Sequence, residues 1–249
     1  MNSKSRVRVA ARWLVTGCGA AAAAYASYVA VTWYRYGEAP PADFAAQDAL
    51  LDRFMPRYEI VERHHVRIAA PAAVALAAGK ETDLRGSRLV RAIIRAREVI
   101  LGAAAVERPR PHGLLAEMQS LGWGVLADVP GREVVMGAVT RPWEANVTFR
   151  ALPPEQFAQF NEPGYVKIVW TLRADPAGPN ASIFRSETRA STTDADARAR
   201  FRRYWSLFSP GIVAIRWLLL SPLKAEAERR ASGARDVQLP VVAPAVLER

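Results

Sequence analysis

A single cysteine, Cys18, stands in this chain of 249 residues. It excludes an intramolecular disulfide and a cysteine-based zinc cage, so packing must hold the fold together. Histidine is nearly as scarce: His64, His65 and His112 are the whole set, with no H-E-x-x-H or H-x-H spacing. His64 and His65 are adjacent, so on a strand they point to opposite faces and cannot jointly ligate one metal. No metal and no cofactor is expected. G-x-S-x-G is absent and no serine has an evident histidine partner, which removes support for a hydrolase. Lysine is thin as well, since of 34 basic residues only Lys4, Lys80, Lys167 and Lys224 are lysines. Against 24 acidic residues the balance is +10, but the arginines are dispersed through amphipathic segments and form no stripe with aromatics between them. That pattern reads as solvated surface, and nucleic acid is not an expected partner. With 51% hydrophobic content and no internal repeat, the chain is an ordinary folded body.

What the sequence does contain begins with an uncharged run from Trp13 to Trp33. At about 1.5 Å per helical residue it spans roughly the 30 Å of a hydrocarbon core. Lys4, Arg6, Arg8 and Arg12 precede it, and Trp13 at one end and Trp33, Tyr34 and Tyr36 at the other suit the interface. The expectation is a basic flank over 1–12 and a transmembrane helix over 13–34, in the cell membrane, single-pass. The charge asymmetry puts the N-terminus in the cytoplasm and the main domain outside. Three other readings compete for this segment. Ala24-Tyr25-Ala26 has the form of a signal-peptidase site, although the apolar run continues past it. Val15-Thr16-Gly17-Cys18 resembles a lipobox, but Arg12 leaves too short an apolar region before it. Gly17-Cys18-Gly19-Ala20-Ala21-Ala22 matches G-x-G-x-x-A, yet the strand–helix alternation of a dinucleotide fold does not follow. Gly17 with Ala21, and Gly19 with Ala23, form small-xxx-small pairs that permit a weak homodimer through the helix.

Gly37 and Pro40-Pro41 open a linker over 35–57 with a short amphipathic docking piece. Tyr58 to Ile68 alternates, with Ile60, Glu62, His64, Val66 and Ile68 on one face, and reads as a strand. Two helices follow, over Pro71–Ala78 and Gly86–Leu101. Strand-like runs then occupy Gly122–Val129, Arg132–Val139, Ala145–Ala151, Tyr165–Ala174 and Ala181–Ser191. Val129-Pro130-Gly131 and Asp175-Pro176-Ala177-Gly178 are turn signals that favour antiparallel hairpins. Thr193 and Asp194 offer an N-cap to a long amphipathic helix carrying Phe201, Tyr204, Trp205, Phe208 and Ile212 at three-and-four spacing. Pro210 should kink or restart that helix, and the tail over 223–249 should fray.

This order resembles the START/Bet v 1-like superfamily, also called SRPBCC or polyketide cyclase-like. The phrases that carry the resemblance are Val66-Arg67-Ile68-Ala69-Ala70-Pro71, Val129-Pro130-Gly131-Arg132-Glu133, and Glu187-Thr188-Arg189 running into Phe201-Arg202-Arg203-Tyr204-Trp205. It implies an α+β helix-grip fold over 58–222, a curved antiparallel β-sheet around a long C-terminal α-helix, in addition to the N-terminal transmembrane helix. It also implies an apolar cavity between sheet and helix. Trp123, Val125, Ile168, Trp170, Phe184, Tyr204, Trp205 and Phe208 are the candidate ligand-binding residues, each equally readable as plain core. Glu187, sharing a face with Arg185 and Arg189, reads as a surface ion-pair partner. The functional expectation is membrane-anchored binding or carriage of a hydrophobic molecule such as a lipid, quinone or polyketide, without catalysis. The alternative is a cyclase, dehydratase or isomerase using His64, Glu62 and Tyr204 as acid/base groups in the same cavity.

Overall fold

The computed structural model describes residues 3–43, 47–83, 86–104 and 111–238, the side chains of 3–11, 14 and 235–238 excepted. Its elements are α1 (Ser3–Tyr34), α2 (Ala49–Phe54), β1 (Ile60–Ile68), α3 (Ala72–Glu81), α4 (Arg88–Leu101), α5 (Leu114–Ser120), β2 (Gly124–Val129), β3 (Glu133–Thr140), β4 (Phe149–Arg150), α6 (Pro154–Phe157), β5 (Val166–Pro176), β6 (Ser182–Thr192) and α7 (Ala195–Gln238). The sheet is antiparallel throughout, in the order β1-β6-β5-β3-β2 with β4 paired to β3.

Two turns close its hairpins. Arg132 N donates to the Val129 carbonyl at 3.0 Å across the β2–β3 turn, where Gly131 takes φ +71°. Ala177 N donates to the Ala181 carbonyl at 2.8 Å across the β5–β6 turn. Gly131 occupies the left-handed region that a side chain would make costly, which is why a Pro-Gly step stands there.

The alternation expected along β1 holds, since His64 is buried and His65 exposed. One face of the sheet carries Ile68, Val134, Trp170, Leu172 and Phe184 against α3 and α7. The other carries Val135, Val139 and Val169 beneath Leu51 and Phe54 of α2 and Phe157 of α6. Covered on both faces, β3 is buried along its whole length.

Asp194 caps α7 as the sequence indicates, its Oδ1 accepting from Ala197 N at 2.8 Å. The helix does not stop at either proline. Both Pro210 and Pro222 lie inside it, and residues 223–238, expected to fray, continue the helix. Leu223, Ala227 and Ala231 recur at four-residue spacing and are buried in the main core. Gly79 of α3 allows this approach, because a Cβ there would stand 2.7 Å from the Phe184 ring and 3.3 Å from Leu223. Burying such side chains at about 25 cal/mol per Å² outweighs the roughly 3 kcal/mol that an interior proline costs. Residues 239–249, the remainder of that tail, lie outside the described residues.

Three smaller differences concern short elements. Only Phe149–Arg150 of the expected strand over 145–151 pairs with the sheet, while α5 and α6 were not expected. Both helices are too short for a helical period to show.

Within α1, Val15–Tyr34 has the length and hydropathy of a membrane span, with a mean hydropathy of 1.2 and none of it buried. A signal sequence passes the same test, and so does α7, whose apolar window is partly packed in the core. At its C-terminal end α1 lies against α7. Tyr25 donates its hydroxyl to the Leu207 carbonyl at 2.5 Å, Tyr28 and Ser209 share a hydrogen bond of 3.1 Å, and Arg202 Nε donates to the Trp33 carbonyl at 2.9 Å.

Candidate functional site: a cavity between the sheet and α7

A cavity of about 370 Å³ lies between the sheet and the first half of α7, within the range of pockets that hold small molecules. The sheet contributes Ile60, Ile168, Thr188 and Ala190, and α7 contributes Phe201, Tyr204, Trp205, Ile212 and Arg216. Helix α4 adds Ile94, Arg97 and Glu98. Trp123 and Phe149 pack with tilted rings, 5.0 Å between centres, on a further wall that also holds Glu117 of α5.

Of the eight residues expected to contact a ligand, Trp123, Ile168, Tyr204 and Trp205 line this space. The other four do not. Phe184 and Trp170 are buried in the packed core, with Val125 against it. Trp170 supports the wall from behind, meeting Trp123 edge-to-face with the ring centres 6.3 Å apart. Phe208 stacks on Tyr204 at 5.0 Å.

Polar groups in the wall divide into engaged and orphaned. Arg97 is engaged: Nε donates to the Tyr204 hydroxyl at 3.1 Å, and Nη2 donates to the carbonyls of Pro142 at 2.8 Å and Glu144 at 3.2 Å. Glu98 accepts from Arg95 at 3.3 Å. Trp123 Nε1, Thr188 Oγ1 and Arg216 Nε are buried with no hydrogen-bond partner. Burial draws the Arg216 guanidinium down to about 10, partly offset by the Glu62 carboxylate, so it stays charged at neutral pH. Arg216 escaped the sequence reading, although a signal existed. It is the one charged residue in the apolar run from Leu207 to Leu223.

Glu62 and His64 share the cavity-side face of β1 but do not line the cavity. Glu62 lies directly across the ladder from Thr188. Burial raises its carboxyl above the ordinary value, with Arg216 opposing. His64 Nε2 is 3.8 Å from Glu62 Oε2, too far for a hydrogen bond, and neither ring nitrogen has a partner. Its ring meets Trp217 edge-on at 5.3 Å. Burial, then Arg216 and His65, pull the imidazole down to about 4, so it is neutral near pH 7. Among the described residues no group of three or more His, Cys, Asp and Glu side chains is placed to hold a metal.

A second, more open cleft of about 530 Å³ runs between the end of α1 and β1, with Tyr28, Val31 and Glu62 in its wall. It shares Ile60 and Trp205 with the first cavity.

Glu187, expected at the surface, is buried, and it pairs with Arg189 at 2.7 Å and Arg63 at 3.0 Å. Arg185 turns to Asp175 at 2.9 Å. The polar face of β6 is covered by the segment carrying α2, which a strand pattern does not reveal.

No protein-family model matches the chain, and no curated protein matches it. Solved structures similar to it include a hypothetical protein from Helicobacter pylori, 5% identical over 76% of this chain and 99% of that one, TM-score 0.38. Norcoclaurine synthase from Thalictrum flavum is 11% identical over 77% and 96%, TM-score 0.29. A START superfamily protein from Mycobacterium smegmatis is 12% identical over 70% and 97%, TM-score 0.25. The helix-grip-like description of this chain stands on its own topology, an antiparallel sheet of order β1-β6-β5-β3-β2 packed against the long α7.

Proposed function

We propose that this protein binds or carries a hydrophobic small molecule, such as a lipid, quinone or polyketide, in the cavity between the sheet and α7. The observation that carries the reading is the cavity itself: about 370 Å³ of space between the sheet and α7, walled chiefly by Ile, Phe, Trp and Ala side chains. In this reading the uncharged run over 13–34 of α1 anchors the chain in the bilayer with its N-terminus cytoplasmic, and the domain lies outside and rests at the membrane, since Tyr25, Tyr28 and Trp33 bond to α7. The cleft beside α1 supports loading near the lipid, because Ile60 and Trp205 alone belong to both its wall and that of the inner cavity.

A cyclase, dehydratase or isomerase would use Glu62, His64 or Tyr204 as acid or base. The 3.8 Å gap between Glu62 and His64, and the absence of both from the cavity wall, favour binding over that alternative. The test is native mass spectrometry of the full chain taken from its own membrane, followed by organic extraction. A stoichiometric apolar molecule is the expected result. A folded, empty protein would count against carriage.

A further inference from the structure

Among the described residues every orphaned side-chain polar atom in the cavity wall is a donor or can act as one: Trp123 Nε1, Thr188 Oγ1 and Arg216 Nε. An indole N–H and a guanidinium N–H only donate, and a hydroxyl donates as readily as it accepts. The orphaned groups stand on three elements: Trp123 precedes β2, Thr188 lies on β6, and Arg216 comes from α7. They are connected through the wall. Trp123 meets Trp170 edge-on, and Trp170 is the register partner of Thr188. Among the described residues no carboxylate pairs with Arg216; Glu62 acts on it only through its field. Arg216 is half-buried with its Nε fully covered and unpartnered; a charge so placed is costly, whereas one bound to a carboxylate forms a strong charge-assisted pair. The charge allowance is small, since Glu62 already opposes Arg216 and Glu98 and Glu117 also stand in the wall. Of the two arginines in the wall Arg97 is held by Tyr204 and two carbonyls, so Arg216 alone is left to meet a ligand's charge, which limits the ligand to one carboxylate.

We propose that the cavity takes a hydrophobic monocarboxylic acid, its carboxylate held by Arg216 and Thr188 and its apolar body lying against Ile168, Trp123 and Phe149. This narrows the ligand class and rests on the binding function proposed above.

Octanoate and octanol, of equal chain length, are the probes. Each is titrated calorimetrically into the full chain in nanodiscs of uncharged phospholipid, with empty nanodiscs subtracted. The expected result is octanoate binding about tenfold tighter than octanol, the size of a charge-assisted hydrogen bond. Arg216→Gln should abolish that preference, and a cooperative thermal unfolding transition shows that the variant is folded. Arg216→Lys should keep most of it. Equal affinity of the two probes in the wild type, or a preference that survives Arg216→Gln, would overturn the acid assignment and leave the binding function standing. Failure of both probes to bind the folded wild type would overturn both.

Discussion

Arg189 and Glu187, two residues apart on one face of β6, meet at 2.7 Å with both side chains buried. The same guanidinium reaches Asp52 at 2.5 Å and the Met55 carbonyl at 2.8 Å, and it lies over the Tyr58 ring at 4.6 Å. One arginine therefore fastens the segment carrying α2 to the outer face of the sheet. Glu187→Gln removes a buried charge partner and should destabilise the protein by about 3 kcal/mol. Thermal unfolding checks this, and a midpoint equal to wild type would show that the pair is dispensable.

That pair also shows where a local reading of the sequence ends. Alternation correctly set Glu187 and Arg189 on the face opposite Phe184 and Thr188, but burial of that face comes from Leu51, Phe54 and Met55, more than 130 residues away. The β1 alternation, the two hairpin turns and the cap at Asp194 were legible because each is settled within a few residues. The continuation of α7 was less so: proline reads as a stop, and only the packing of Leu223, Ala227 and Ala231 overrides it. Membership of the cavity was half legible. Trp123 and Trp170 both fall in strand-like runs of the sequence, and which one borders empty space depends on how α4 and α5 cover the sheet.

Glu133 gives a pH dependence of definite sign. Burial, and then the hydrogen bond and charge of Asp48, push its carboxyl from 4.5 up to about 8. Between those values the folded state holds a proton that the unfolded state releases, so stability falls as pH rises through the window. Glu133→Gln mimics the protonated acid and should flatten that slope. Unfolding midpoints across the window check it, and an unchanged slope would assign the effect elsewhere.

His64 acts in the opposite direction. Its imidazole titrates at about 4 in the folded state against 6.5 ordinarily, so the unfolded state takes up the proton first and stability falls as pH falls through that range. His64→Phe keeps the ring contact with Trp217 and should raise acid stability without changing octanol affinity. Loss of binding in this variant would bring the acid/base alternative forward.

The anchor reading makes a separate prediction. The wild-type protein should stay with membranes through an alkaline carbonate wash, and Ala22→Arg, which costs about 3 kcal/mol at the centre of a span, should weaken that retention. Wild-type protein in the soluble fraction would contradict the anchor. Reporter fusions after Gly37 should be active only outside the cytoplasm, and cytoplasmic activity there would reverse the proposed orientation.

An apolar molecule should occupy the space between the sheet and α7, and photo-crosslinking locates it. An uncharged alkyl alcohol bearing a diazirine is irradiated with the full chain in its membrane, and the adducts are mapped by peptide. Adducts on the segments holding Trp123, Phe149 and Ile168, lost when Ala190→Phe fills the cavity from β6, are the predicted result. Adducts confined to α1, or unchanged in Ala190→Phe, would rule out an occupied cavity.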